Sequence, residues 1–199
     1  GMTEIETKEL AKKGIFKGKP LHGSLEETHI SWVILTNRNA FKIKKPLRLS
    51  FLNFSTLQRR KHFCKREVQL NSRFSDIYQG VVPIRAHGGR WYVGPGHGRV
   101  VEYAVQMKRL LTSRRMDNML RDDKVGSAEI ENLARVIAST HTTSEKIYLP
   151  FDPLQARKIF NDISGIRAFV KKWLGPSFAS LISQSTSWSN RFLKKHARR

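Results

Sequence analysis

The segment from Glu27 to Asn71 constrains the fold more than any other part of the chain. Residues 28–35 are rich in β-branched and aromatic types, which favour a strand, and residues 37–39 supply turn formers. A second strand-like run, AFKIK, begins at Ala40, and a long run without glycine or proline comes soon after it. This order predicts a β-hairpin followed by a long amphipathic helix.

One face of the second predicted strand carries lysines. Period-two alternation places Ala40, Lys42 and Lys44 on this face, which we expect to lie outside the core because lysine is rarely buried. Phe41 and Ile43 fall on the opposite face. The small Ala40 leaves room for a flat base beside the strand, while Lys42 can extend toward phosphate oxygens. A plain solvated strand face explains the same pattern, and both interpretations stay open.

The predicted helix begins at a capping signal. Ser55 and Gln58 form an S-x-x-Q capping box, which predicts a start near Thr56. No glycine or proline follows until beyond Phe74, so we expect the helix to continue to about that residue.

A single glutamate lies among the apolar residues of this helix. We expect Glu67 to share a face with Phe63, Cys64, Leu70 and Phe74. A carboxylate on such a face is costly unless it is paired, so Lys42 or Lys44 is the expected partner. A partly exposed Glu67 that pairs locally with Arg66 or with the neighbours of Arg73 is the alternative.

The residues after the helix predict more sheet. The run VVPIR and the alternating residues Val101, Tyr103, Val105 and Met107 are typical of strands. The glycine-rich run GPGHGR lies between predicted strands and lacks the following helix and the Lys-Ser/Thr pair of a phosphate-binding loop. We therefore interpret it as a hairpin turn. The first 110 residues predict a small sheet crossed by one helix.

The pattern turns helical from Thr112 onward. Ser127 is a candidate cap for a helix whose apolar face continues to His141, which we interpret as a core histidine. Pro153 predicts the start of another helix, and Gly165 and Gly175 mark breaks in the helical pattern.

The chain is strongly basic, with a formal net charge of +21. Basic residues concentrate in four clusters: Arg38–Arg48, Arg59–Arg66, Lys108–Arg115 and the terminal run KKHARR. A field of this sign attracts nucleotides, nucleic acid and anionic lipid alike, so we expect a polyanionic partner or an acidic complement. A solvated basic surface without a dedicated ligand is the alternative.

Other features limit the cellular setting. Cys64 is the single cysteine, which excludes a disulfide framework, and no run of 18 apolar residues could span a membrane. The polar, acidic first ten residues do not resemble a signal or transit peptide. We expect a cytoplasmic protein.

Several runs together carry a resemblance to a known family. They are ETHISWVIL, AFKIKKP, SFLNFSTLQRRKHFCKREVQLN, VVPI, VEYAVQMKRL and LARVIASTH. They resemble the aminoglycoside-phosphotransferase-like kinase family, whose longer members continue into a P-loop nucleotide kinase domain. The resemblance is clearest from about Glu27 to His141.

The resemblance implies roles for individual residues. Lys42 matches the strand lysine that holds the ATP phosphates, with Lys44 as the alternative register, and Glu67 matches the helix glutamate that orients this lysine. Residues 103–107, with Tyr103, Val105 and Met107, match the strand that leads into the adenine-binding linker. Ala40 would then lie beside the adenine, and magnesium would enter only with the nucleotide.

One departure from the family pattern bears on activity. The 199 residues contain no H-G-D-x-x-x-x-N or H-R-D-x-x-x-x-N run, which supplies the catalytic base and the metal ligands of such kinases. We therefore expect weak ATP binding without phosphoryl transfer in this chain by itself, as in a part that ends before the catalytic loop. The acceptor stays open.

These observations predict an α+β chain. Residues 1–111 would form a kinase-like small lobe, an antiparallel sheet with one long helix, and residues 112–199 the first helices of an incomplete helical lobe. The alternatives are a basic module that binds nucleic acid or acts as a scaffold, and a regulatory pseudokinase lobe. The nucleic-acid alternative requires basic residues and exposed aromatic rings on one face.

Overall fold

The computed structural model describes residues 1–146, 148, 150 and 152–196. The chain separates into two compact units, one up to residue 144 and one from residue 145 onward. The functional division into 1–111 and 112–199 stays a prediction. The end of the terminal basic cluster, residues 197–199, lies outside the described residues.

The first unit is built on one eight-stranded sheet, in the order β2-β1-β7-β6-β8-β5-β4-β3. All neighbouring strands are antiparallel except β1 and β7, which are parallel. The strands are β1 (Ile15–Phe16), β2 (Lys19–Pro20), β3 (Ser24–Glu27), β4 (Ser31–Leu35), β5 (Asn39–Lys44), β6 (Tyr78–His87), β7 (Arg90–Val93) and β8 (Arg99–Lys108). With its helices, the sheet confirms the α+β class.

The described residues form seven α-helices, four of them in the first unit. These four are α1 (Glu4–Lys13), α2 (Leu57–Asn71), α3 (Met116–Arg121) and α4 (Ser127–Thr143). The second unit contains α5 (Pro153–Asn161), α6 (Arg167–Leu174) and α7 (Pro176–His196). No helix among the described residues is long and apolar enough to cross a membrane.

The predicted hairpin is confirmed as β4 and β5. Thr36 closes its turn, since its hydroxyl accepts a hydrogen bond from the Asn39 amide and donates one to the Asn39 carbonyl. The apolar face of β5, Phe41 and Ile43, is buried in the core as predicted. Helix α1, which the sequence analysis did not predict, contributes Leu10 to the same core.

The long helix is confirmed with two corrections. Thr56 rather than Ser55 caps it, because the Thr56 hydroxyl accepts from the Arg59 amide while the Ser55 hydroxyl donates to Asn53. The helix also ends at Asn71, before the predicted limit at Phe74.

The interpretation of GPGHGR as a hairpin turn is wrong. Strands β7 and β8 both pair with β6, which lies between them, so residues 94–98 form a crossover connection. The tight turn of this region instead joins β6 to β7 through Gly88 and Gly89. Their φ values of 54° and 70° lie in the left-handed region that glycine adopts most easily.

The predicted helices of the second half are present. Pro153 occupies the first turn of α5, which Asp152 caps, and Gly175 ends α6 with a φ of 98°. Ser127 is not a cap, because Gly126 precedes α4 and donates its amide to Glu129. His141 is exposed, so its interpretation as a core histidine is wrong.

Candidate functional site

The lysine face of β5 lies on the side of the sheet that α2 covers. Lys42 pairs in register with Val105 of β8 and with Val33 of β4. Directly paired residues of antiparallel strands project to the same side of a sheet. Ala40, two residues earlier, is paired in the same way with Met107 and Leu35. The face predicted from alternation is therefore continuous across three strands.

Both lysines pair with the helix glutamate. Lys42 Nζ lies 2.8 Å from Glu67 Oε1, and Lys44 Nζ lies 2.6 Å from Glu67 Oε2. The predicted pairing of Glu67 with a strand lysine is confirmed, and the local pairing with Arg66 is not observed. Arg66 donates to Gln69 instead. One carboxylate thus holds two ammonium groups from one strand.

The two lysines differ in exposure. The Lys44 side chain is 6% exposed, and its ammonium lies 5.0 Å from the centre of the Phe54 ring. Our expectation that the lysine face lies outside the core is therefore wrong at Lys44, because Glu67 pairs with its charge and lets α2 cover it. It is also wrong at Ala40, which is buried between its strand partners Leu35 and Met107. The Lys42 side chain is 30% exposed. Of the two ammonium groups, that of Lys42 is the more accessible to an anionic ligand.

Two opposing effects set the pKa of the Glu67 carboxyl. Burial raises the pKa, because a charge is less favourable away from water. Hydrogen bonds from Lys42 and Lys44, with their positive charges, lower it further than burial raises it. The net pKa lies below the ordinary value, so Glu67 is ionised at neutral pH and holds both ammonium groups.

The buried side of α2 differs from the predicted one. Arg60 and Cys64 are buried and Glu67 nearly so, whereas Leu70 and Phe74 are exposed. The face prediction is wrong for these last two residues, because the helix turns a charged stripe toward the sheet. Burial raises the pKa of the Cys64 thiol to about 12. Cys64 donates a weak hydrogen bond of 3.9 Å to the Tyr103 carbonyl.

A second ion pair, which the sequence patterns did not predict, lies beneath α2. The Arg60 guanidinium lies 2.8–2.9 Å from both carboxylate oxygens of Glu102, and both side chains are 1% exposed. Arg60 also donates to the Phe54 carbonyl at 2.9 Å. A signal was present, since Arg60 lies seven residues, close to two helical turns, before Glu67 and so on the same helix face.

A small cavity lies at the end of the lysine face. Its volume is about 180 Å³, and its wall includes Leu35, Ala40 and Met107, which are neighbours in register. The remaining lining residues come from β3, from the end of β8 and from the segments before β6 and after β8: Glu26, Ile77, Lys108, Leu110, Leu111, Thr112 and Arg115. Ala40 precedes Lys42 by two residues, about 7 Å along an extended strand.

Five of the seven predicted binding residues are therefore gathered in two adjacent places. Lys42, Lys44 and Glu67 form the ion cluster, and Ala40 and Met107 line the cavity. The other two predicted residues lie farther along β8. Val105 is buried opposite Lys42, and the ring of Tyr103 lies 4.9 Å from the ammonium of Lys61 on α2.

In the part of the chain that the structure describes, no group of three or more His, Cys, Asp or Glu side chains could hold a metal ion. The two ammonium groups and one carboxylate of Lys42, Lys44 and Glu67 give the candidate site a net positive charge beside the small cavity.

Comparison with known proteins gives relatives without an assigned activity. Matching curated proteins include uncharacterized proteins of Mycobacterium bovis and of two strains of Mycobacterium tuberculosis, each 30% identical over 123 residues. The matched region is 61% of this chain and 23% of the relative, so the chain spans under a quarter of their length. No family model and no solved structure matches the chain.

Proposed function

We propose that the first unit is the nucleotide-binding lobe of a kinase-like phosphotransferase of the aminoglycoside-phosphotransferase-like type, and that it binds ATP weakly. The observation that carries the proposal is the pairing of Lys42 with Glu67 across the interface of β5 and α2. A strand lysine held by a helix glutamate is the arrangement that positions ATP phosphates in kinases.

The position of the cavity supports the same proposal. Ala40 and Met107 form a narrow apolar wall on the sheet face that carries Lys42. A flat base placed there would direct its phosphates along β5 toward the Lys42 ammonium. Glu67 would keep that ammonium extended, while Lys44 holds the second oxygen of Glu67 in place.

The expected affinity is low. The cavity of about 180 Å³ is below the usual 300–1,000 Å³ of a site that encloses a small ligand. Most of the binding energy would then come from phosphate contacts, which weaken as salt screens them. Magnesium would enter with the nucleotide, coordinated mainly by its phosphates.

Calorimetric titration with ATP and magnesium tests the proposal. Lys42→Ala should weaken binding by about tenfold or more, because it removes a charge-assisted hydrogen bond to phosphate. Lys65→Ala is the matched control, since it removes the same charge from an exposed position of α2. Equal affinities of the wild type and Lys42→Ala would contradict the proposed site.

A nucleic-acid-binding module is the second candidate function, and the net charge of +21 favours it. A double-stranded oligonucleotide titrated beside ATP separates the two candidates. Each neutralised phosphate adds about 0.9 to the slope of log K against log salt on B-DNA. Tight, salt-sensitive oligonucleotide binding that Lys42→Ala does not change would favour the basic surface as the functional element.

Phosphoryl transfer is a separate question from ATP binding. We expect no transfer from radiolabelled ATP to a broad panel of acceptors by this chain alone, because its sequence contains no recognisable catalytic loop. Magnesium-dependent transfer that Lys42→Ala abolishes would contradict this expectation and indicate an unrecognised catalytic carboxylate. A regulatory pseudokinase lobe would bind nucleotide without transfer.

A further inference from the structure

A second and larger cavity lies at the opposite edge of the sheet. Its volume is about 520 Å³, within the range of small-molecule sites. It is bounded by the last turn of α1, by β1 and β2, and by the turn into β7. Strands β5 and β8, which carry the proposed nucleotide site, are separated from β1 by β7 and β6. We call this cavity the α1–β7 cleft.

The charges around the α1–β7 cleft are unbalanced. Lys12, Lys13 and Arg90 contribute three positive charges, and Glu9 contributes one negative charge. The excess of two positive charges would be neutralised by a dianion. Arginine can also present two parallel N–H groups to a phosphate or carboxylate.

An aromatic ring completes the wall. Trp91 lines the cleft and is half-buried, with part of its ring packed against the core. Gly89, another lining residue, has no side chain, and a Cβ atom built on it would meet nothing within 4 Å, so the turn before β7 leaves this side of the cleft open. The exposed part of the Trp91 ring offers a surface against which a flat apolar group can lie.

The backbone at His22, another lining residue, is unusual. Its φ of 46° lies in the left-handed region, which few residues other than glycine adopt. Hydrogen bonds hold the residues on both sides, since the Leu21 amide donates to Gly14 at 2.7 Å and the Gly23 amide donates to Ala11 at 2.8 Å. Such maintained strain is concentrated at functional sites.

From these observations we propose that the α1–β7 cleft binds a small dianionic ligand with a flat apolar body, of the aryl phosphate class. The anionic group would contact Arg90 and the lysines of α1, and the flat body would lie against Trp91. This site is distinct from the proposed nucleotide site, and no residue of the ion cluster takes part in it.

The test is a titration of the ¹⁵N-labelled chain with phenyl phosphate at pH 7.5, followed by backbone and indole NMR resonances. We expect saturable shifts confined to residues of the α1–β7 cleft, including Ile15, His22, Gly89 and the Trp91 indole. Inorganic phosphate should bind about fivefold or more weakly, because it lacks the apolar body. Benzyl alcohol should cause no shifts, because it lacks the charge.

Variants distinguish a built site from general attraction to a basic chain. Arg90→Ala should weaken phenyl phosphate binding by about fivefold or more, and Lys12→Ala should weaken it less, since a lysine binds as a point charge. Arg59→Ala removes an exposed arginine from α2 and should change the affinity by less than about twofold. Lys42→Ala should leave the shifts unchanged, which separates this site from the nucleotide site.

Several results would overturn the proposal. Equal binding of phenyl phosphate and inorganic phosphate would remove the role of Trp91. An equal loss of affinity in Arg59→Ala and Arg90→Ala would mean that phenyl phosphate responds only to the net charge of the chain and not to the cleft. Shifts centred on β5 and α2 would assign the ligand to the proposed nucleotide site instead.

The control for folding is the spectrum of the core resonances, which should be unchanged in each variant.

Discussion

The two ends of α2 are fixed to the sheet by ion pairs of opposite character. Near the start of the helix, Arg60 and Glu102 form a sealed pair with several hydrogen bonds, and both side chains are 1% exposed. Near its end, Glu67 holds two lysines, of which Lys42 is 30% exposed. A ligand cannot reach the sealed pair, which therefore stabilises the fold. The ion cluster of Lys42, Lys44 and Glu67 keeps the Lys42 ammonium accessible, and this is the basis of the proposed function.

The largest expected effect is on the reaction rate of the Cys64 thiol. This residue lies on α2 between Arg60 and Glu67. Burial raises the pKa of its thiol to about 12, and the thiolate is the reactive form. Reaction with a disulfide reagent at pH 8 should therefore be about a thousandfold slower in the native chain than in urea. Because Cys64 is the single cysteine, the released chromophore reports on this residue alone. Comparable rates in both conditions would mean that α2 does not seal the sheet.

The sealed pair should matter most for stability. Arg60→Leu leaves the Glu102 carboxylate buried without its partner, and should lower the free energy of unfolding by about 3–5 kcal/mol. The double variant Arg60→Leu/Glu102→Leu should recover much of this loss. Urea unfolding of both variants measures the difference, with Arg66→Leu as the exposed control. A loss below about 1 kcal/mol in Arg60→Leu would contradict a structural role for the pair.

Glu67→Gln should have an intermediate effect. The neutral amide leaves the buried Lys44 ammonium without a carboxylate partner, at a cost of about 2 kcal/mol in the free energy of unfolding. Urea unfolding at neutral pH measures this cost. A loss as large as that of Arg60→Leu would mean that the ion cluster is as inaccessible to water as the Arg60–Glu102 pair.

The contribution of Glu67 should also depend on pH. Its pKa is lower in the folded chain than the ordinary value of 4.5, so its stabilising contribution is complete above about pH 4.5. The contribution is lost as the pH falls through the folded pKa. The wild type should therefore lose its stability advantage over Glu67→Gln across that acidic range. A constant advantage down to the lowest pH would contradict the ionic pairing.

Lys42→Ala should have the smallest effect on stability. Its ammonium is partly exposed, and Glu67 keeps Lys44 as a partner, so we expect a loss of less than about 1 kcal/mol. Thermal unfolding of this variant measures the loss. If Lys42→Ala changes stability little but weakens ATP binding, then Lys42 serves ligand binding rather than folding.

Local sequence signals predicted the parts of the site that depend on local structure. Alternation in β5 and the start of α2 were sufficient to bring Glu67 and the lysines together. The order of β6, β7 and β8 could not be predicted in this way, because a glycine-rich connection fits a hairpin turn and a crossover equally well. The burial of Lys44 depends on how α2 lies on the sheet, which no single element encodes.

The missed elements had recognisable signals. Thr3 and Glu6 form a reciprocal capping box at the start of α1, which predicts a helix in the first residues. The Arg60–Glu102 pair was harder to predict, because the two residues come from different elements and lie 42 positions apart. Helix α2 turns Arg60 and Glu67 toward the sheet, whereas the apolar pattern predicts that Leu70 and Phe74 face it. The prediction of the buried face therefore failed for this helix.

Chemical footprinting of lysines tests most directly that Lys42 is the ligand-accessible charge. The chain is acetylated at low reagent concentration with and without ATP and magnesium, and each lysine is quantified by mass spectrometry. We predict that ATP slows the modification of Lys42 severalfold, that Lys44 stays unmodified in both cases, and that exposed Lys65 is unaffected. Modification of Lys42 at the same rate with saturating ATP would contradict the account.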